Sequence, residues 1–184
     1  MNRENLKARL HGEFPGLVTM PPEFRGETTL LVGDASRLPE VLRFLERECA
    51  FNYLVDITSV DHMGDEPRFE LVYELYSYGA SQHLRVKARV PEESPEAPSV
   101  CDIWPAANWH EREIFDMFGI RFAGHPDLRR ILMWDGYPHH PLRKDFPLEG
   151  LPSDSPDGHF TRPAPMDGGP FVTQPGDLAH EREP

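Results

Sequence analysis

The sequence predicts an α/β chain of the two-layer α+β kind, a mixed and largely antiparallel sheet with helices packed on one face, followed by an extended C-terminal tail. Three observations predict it. Leu38, Val41, Leu42, Leu45 and Cys49 recur at i, i+3, i+4, i+7 and i+11, the single apolar stripe of a helix lying on a sheet. Three successive segments, 53–60, 69–78 and 84–90, are rich in β-branched residues or alternate apolar with polar ones. From 147 to 184 there are eight prolines and five glycines with an excess of acids, and such a composition buries too little apolar surface to fold alone.

Residues 1–33 read as a polar start followed by short extended pieces, with a strand over 28–32 that ends at Gly33. Ser36 is placed to cap the next helix, over 37–49, and Pro39 is tolerated in its first turn. In the second and third strand segments, Phe69, Leu71, Tyr73 and Leu75 share one face, as do Leu84, Val86, Ala88 and Val90. A two-residue type II′ turn at Gly79-Ala80 pairs residues whose numbers sum to 159. Glu74 then faces Arg85, Glu70 faces Arg89, and Leu71, Tyr73 and Leu75 meet Ala88, Val86 and Leu84. A one-residue slip would set apolar side chains against charged ones. The basic row at 85, 87 and 89 reads as a solvated face neutralised by the acidic row.

The segment 91–98 reads as an acidic, proline-broken loop and 99–104 as a last short strand. A helix over 108–118 follows, with Asn108 and Glu111 spaced as a capping box and Ile114, Met117 and Phe118 as its apolar face. Gly119 stands where a left-handed residue ends a helix. These elements place one domain at 1–148 and the extended tail at 149–184. Phe160, Met166, Phe171 and Val172 lie scattered along the tail, as in a strap laid across a partner with occasional anchors.

Composition removes several function classes. A net charge of −12 argues against nucleic acid as a partner. No apolar run approaches the roughly 20 residues that span a bilayer, and Met1 to Leu10 lacks the apolar core of a secretory leader, so no direct membrane insertion is expected. Two cysteines, Cys49 and Cys101, are too few for a cysteine-only zinc or iron–sulfur site and read as inert thiols. His110 with Glu113, and the pair His139-His140, lack the spacing of a metal-binding helix, so no metal is expected. Arg112 lies four residues before Asp116 and is spaced to pair with it on the helix surface. With Glu111 given a capping role, no carboxylate is left that calls for acid/base catalysis. No nucleotide, flavin or nucleophile motif is present.

The stretch 121–146 mixes arginines, aromatics and prolines without a clean period, a composition that suits interface hot spots. Here the residues resemble a family. Glu111-Arg-Glu-Ile-Phe-Asp-Met-Phe-Gly119, Gly124-His-Pro-Asp-Leu-Arg-Arg-Ile-Leu132 and Pro141-Leu-Arg-Lys-Asp-Phe-Pro147 closely resemble the signature of the C subunit of respiratory NADH:quinone oxidoreductase (complex I). The signature spans 109–148, and the weaker helix–strand pattern extends the match to 30–150.

The resemblance implies a subunit without redox centre or catalytic residue, in the peripheral arm on the cytoplasmic side of the cell inner membrane. It implies packing against the quinone-site D subunit, with the B and I subunits nearby and with FMN and iron–sulfur clusters in partner subunits. Partner-binding residues would then be Glu111, Arg112, Glu113, Asp116 and Gly119 in the first block, and His125, Pro126, Arg129 and Arg130 in the second. Asp135 and the run Pro141, Leu142, Arg143, Lys144 and Asp145 complete the set. Arg129, Arg130, Arg143 and Lys144 are expected to meet acids of the D subunit or Asp127, Asp135 and Asp145 in the loop itself. The equivalent subunits of a photosynthetic-type dehydrogenase and of membrane-bound hydrogenases share this signature. A metal-dependent hydrolase is the alternative from a different class.

Overall fold

In the computed structural model, which describes residues 3–151, helix α1 (Arg3–Glu13) is followed by strands β1 (Val18–Thr19) and β2 (Thr29–Val32) and helix α2 (Leu38–Cys49). Strands β3 (Tyr53–Asp61), β4 (Phe69–Ser77) and β5 (Gln82–Val90) come next, then β6 (Glu96–Pro98), helix α3 (Ala107–Phe118) and β7 (Arg121–Ala123). Five strands form one mixed sheet in the order β1-β2-β5-β4-β3, in which only β2 and β5 run parallel. β6 and β7 form a separate parallel pair. The tail beyond Leu151, with the strap expected there, lies outside the described residues.

The hairpin register is the expected one. Glu74 pairs with Arg85, Glu70 with Arg89, and Leu71, Tyr73 and Leu75 with Ala88, Val86 and Leu84. The apolar members are wholly buried or nearly so and share one core with Leu6 and Leu10 of α1, the stripe of α2, and Ile114 and Met117 of α3. The opposite face of the sheet carries ions. Arg85 binds Glu74 and Glu27, and Lys87 and Arg89 both reach Glu70. The helices therefore cover one face.

Five local expectations are corrected. The first thirteen residues contain a helix. Its apolar stripe is only Leu6 and Leu10, too sparse to read as a period, and it is held by docking on the core. The hairpin loop is four residues long, because Ser77 still pairs with Gln82. Its left-handed residue is Ser81 (φ 50°), not Gly79, and Ala80 N–H donates to Ser77 Oγ at 3.3 Å. Two- and four-residue loops with one centre impose the same register, so the ladder was legible where the turn was not. Ahead of α2, Ser36 is not the cap. Asp34 takes that place, accepting from Ser36 N and Oγ over a 3-10 turn at Ala35–Arg37.

The short strand lies at Glu96–Pro98, inside the expected loop, and 99–104 turns instead. Hydrogen bonds from Arg121 N to Pro95 O and from Ser99 N to Ala123 O, both 2.8 Å, tie it to β7. Finally, α3 begins after Ala106 with no side-chain cap, and Asn108 sits inside it. Gly119 does end the helix in the left-handed region, at φ 77°.

Candidate functional site

The three signature blocks meet at the C-terminal end of α3. A helix leaves its last carbonyls without intrahelical partners and concentrates negative potential there. The irregular segment after β7 supplies the donors. Arg130 donates to Asp116 O at 3.1 Å, and His140 Nδ1 lies 2.9 Å from the same oxygen. Leu142 N–H donates to Met117 O at 3.1 Å, and Arg143 Nε to Phe118 O at 2.6 Å. Gly119 is required twice over. Its φ is positive, and a Cβ on it would lie 2.6 Å from His140 Nε2 and 2.7 Å from an Arg143 nitrogen.

Asp116 is the anchor of this clamp. Its side chain is fully buried, and Oδ2 accepts from the backbone N–H groups of Ile131, Leu132 and Met133 at 3.0, 2.7 and 2.9 Å. Arg130 donates to Oδ1. Burial alone would raise the carboxyl's pKa, but these four donors together hold it below the usual carboxylate value. Burial also holds the His140 imidazole below its ordinary pKa, with Arg143 and Arg130 adding to the effect.

Arg112 does not pair with Asp116. It lies over the Trp109 ring at 5.1 Å and donates to Arg129 O and Arg130 O at 3.2 and 3.3 Å. The four-residue spacing permits the pair, but Asp116 is already spent on the loop.

A second buried ion cluster ties the end of the loop to the sheet. Arg68, in the β3–β4 connection, donates two 2.7 Å bonds to Asp61, and further bonds to Glu92 (2.6 Å) and Asp145 (3.0 Å). Asp61 also accepts from Lys144 N at 2.8 Å. The Arg68 hydrogen bonds hold the Asp61 carboxyl below its usual range. Sequence reading missed Asp61 and Arg68. Two charges seven residues apart around a turn carry no period, and only their flanking of strand ends could have drawn notice.

At the N-terminal half of α3, Glu111 points inward. It accepts from Ser99 Oγ (2.6 Å), Val100 N (2.7 Å) and Cys101 Sγ (3.4 Å), so its role is to hold the turn after β6 rather than to cap its own helix. Burial pushes its pKa up. Burial likewise pushes the Cys101 thiol up to about 11, so this cysteine is a poor nucleophile at neutral pH.

The expected site residues thus divide by exposure. Glu111, Arg112 and Asp116 are buried. Gly119, His125, Arg130, Pro141 and Arg143 are half-buried, while Glu113, Pro126, Arg129, Asp135, Leu142, Lys144 and Asp145 are exposed. Of the four basic residues, Arg129 pairs with Asp127 in the loop at 2.9 Å, whereas Arg130 turns to Asp116 and Arg143 to a carbonyl. Trp109 (61% exposed) and Leu132 (63%) are likewise exposed large apolar side chains, as is Leu142 (51%). The histidines considered for metal do not converge. His110 contacts Asp56 at 3.1 Å, His139 packs on Tyr137 and Phe146, and His140 serves the helix end.

The model of the family described as respiratory-chain NADH dehydrogenase, 30 Kd subunit, matches residues 31–152, which takes in both clusters and the whole signature. The chain belongs to this family. A curated relative, the C subunit of the NADH-quinone oxidoreductase of Geotalea uraniireducens, is 44% identical over 149 residues, covering 80% of this chain and 90% of that one. Among solved structures, the trypsin-resistant fragment (1-134) of Nqo5 is 32% identical with a TM-score of 0.61, covering 70% of this chain and all of that one. A chain from the membrane-bound sulfane sulfur reductase, an archaeal respiratory membrane complex, is 29% identical with a TM-score of 0.69 and covers 79% and 85%. Among the described residues, no helix is long and apolar enough to cross a membrane.

Proposed function

We propose that the chain is a non-catalytic subunit of the peripheral arm of a proton-pumping NADH:quinone oxidoreductase. It sits on the cytoplasmic side of the inner membrane and supports the quinone-site D subunit, with the B and I subunits nearby. FMN and iron–sulfur clusters belong to those partners, and this chain carries no redox centre.

One observation carries the reading. The buried charges of the signature are consumed within the chain, fixing a segment of otherwise irregular backbone that exposes Leu132 and Leu142 with Arg129, Asp135 and Lys144, while α3, to which it is bonded, exposes Trp109 and Glu113. Apolar anchors with a charged rim, held on a preorganised support, favour association because little freedom is lost on binding. The likeness to the sulfane sulfur reductase chain favours a second reading, the equivalent subunit of another membrane-bound respiratory complex such as a photosynthetic-type dehydrogenase or a hydrogenase.

Leu132→Glu and Trp109→Glu test the proposal. Each chain should fold with unchanged Tm when isolated and should fail to co-purify with the D subunit. Normal assembly and quinone reduction in both would overturn it. The identity of the other chains recovered with the wild type separates the first reading from the second.

A further inference from the structure

The fold brings together three ligand-type side chains that the sequence keeps apart. Cys101 lies in the turn after β6, Glu111 on the inward face of α3 and His125 just beyond β7. One donor atom from each lies within 4.8 Å of the others, and Cys101 Sγ stands 3.4 Å from Glu111 Oε2. Around a tetrahedral Zn²⁺ with bonds of about 2.0–2.3 Å, neighbouring ligands stand about 3.3–3.8 Å apart. The thiol–carboxylate pair is already at that spacing, and His125 has at most about 1.5 Å to close.

The surroundings suit a ligand set. Glu111 is fully buried and held from behind by Ser99 Oγ and Val100 N, which fixes one carboxylate. Cys101 and His125 are half-exposed and give an ion a way in. His125 Nε2 lies 3.2 Å from Asn108 O, and Nδ1 accepts from Asp127 N–H at 3.0 Å. A bound ion replaces one of these two backbone hydrogen bonds, and the other orients the ring, as the second nitrogen of an imidazole ligand commonly does.

We propose that Cys101, Glu111 and His125 form a site for one borderline-soft divalent cation of the Zn²⁺ class, with water as fourth ligand. On binding, the Cys101 S–H bond breaks, an S–metal bond forms and the proton passes to solvent. No electron is transferred. The ion then fastens the turns after β6 and β7 to α3, a structural role independent of which respiratory complex holds the chain. Spacing in the sequence did not signal it because the ligands come from three separate segments.

The test uses the full chain stripped with chelator, with Co²⁺ as spectroscopic probe and Zn²⁺ in competition. One equivalent of Co²⁺ should give a thiolate-to-cobalt charge-transfer band. Cys101→Ser keeps a hydroxyl able to donate to Glu111, so it should retain the wild-type Tm without metal, lose the band and bind Zn²⁺ about 100-fold more weakly. His125→Gln should weaken Zn²⁺ by at least about 10-fold. Cys49→Ser should leave the band and the Zn²⁺ affinity unchanged. A spectrum without the band at stoichiometric Co²⁺, or equal Zn²⁺ affinity in wild type and Cys101→Ser, would overturn the site. So would loss of the band in Cys49→Ser alone.

Discussion

Two charged regions of this molecule look alike in sequence and differ in kind. On the outer face of the β4–β5 hairpin, Glu70, Glu74, Arg85, Lys87 and Arg89 form a ladder of ion pairs in which Glu70 is buried and its partners and the Glu74–Arg85 pair are partly exposed. At the end of α3, Asp116, Arg130 and Arg143 form a clamp in which the aspartate is fully buried and is met chiefly by backbone N–H groups. The ladder decorates a sheet that apolar burial already holds. The clamp substitutes for secondary structure, supplying hydrogen bonds to a segment with almost no regular backbone and to a helix end. Exposed pairs contribute up to about 1 kcal/mol, whereas removing one partner of a buried set leaves uncompensated charge at about 3–5 kcal/mol.

The sharpest way to break this contrast is Asp116→Ala. It leaves three part-buried N–H groups and Arg130 without their buried acceptor and should destabilise the isolated chain by about 3–5 kcal/mol in urea denaturation. A loss below about 1 kcal/mol would put the clamp in the same class as the ladder. Gly119→Ala comes next, at about 2 kcal/mol, because it combines left-handed strain with displacement of His140 and Arg143. Refolded chains of this variant should have the same sheet and a lower Tm.

Acid sharpens the comparison further. His140 has a lowered pKa, so the unfolded chain takes up its proton first, and stability falls as pH drops below about 6.5. Asp116 and Asp61 also have lowered values. Their contribution is complete above about pH 4 and is lost as pH falls through their folded-state values. Glu111, with a raised value, opposes the carboxylates in sign. Denaturation curves from about pH 3 to about pH 7 should show the two steps, and His140→Gln should remove the upper one.

The smallest effects belong to partly exposed pairs, in the ladder and on the loop. Glu74→Ala should cost no more than about 1 kcal/mol, and less at high salt, with Arg129→Ala within about 0.5 kcal/mol. Larger values in thermal melts would mean that the sheet leans on its ions.

The same contrast explains what could be read in advance. The ladder obeys a period of two, so its rows of opposite sign and the apolar rows between them left one register for β4 and β5, and the α2 stripe was equally legible. The clamp obeys none. Asp116 reaches residues 15 to 17 positions away through backbone N–H groups, which carry no residue identity. Family resemblance located that segment but not its wiring, and the only local spacing rule that applied, Arg112 with Asp116, named the wrong partner.

The signature segment is held by its own chain before any partner arrives. Amide hydrogen exchange of Ile131, Leu132 and Met133 in the isolated wild-type protein tests it most directly. These three N–H groups should exchange at least about 100-fold more slowly than unstructured peptide, and Asp116→Ala should abolish the protection. Exchange at the unstructured rate in the isolated chain would contradict it, and would mean that the segment takes its shape from the partner.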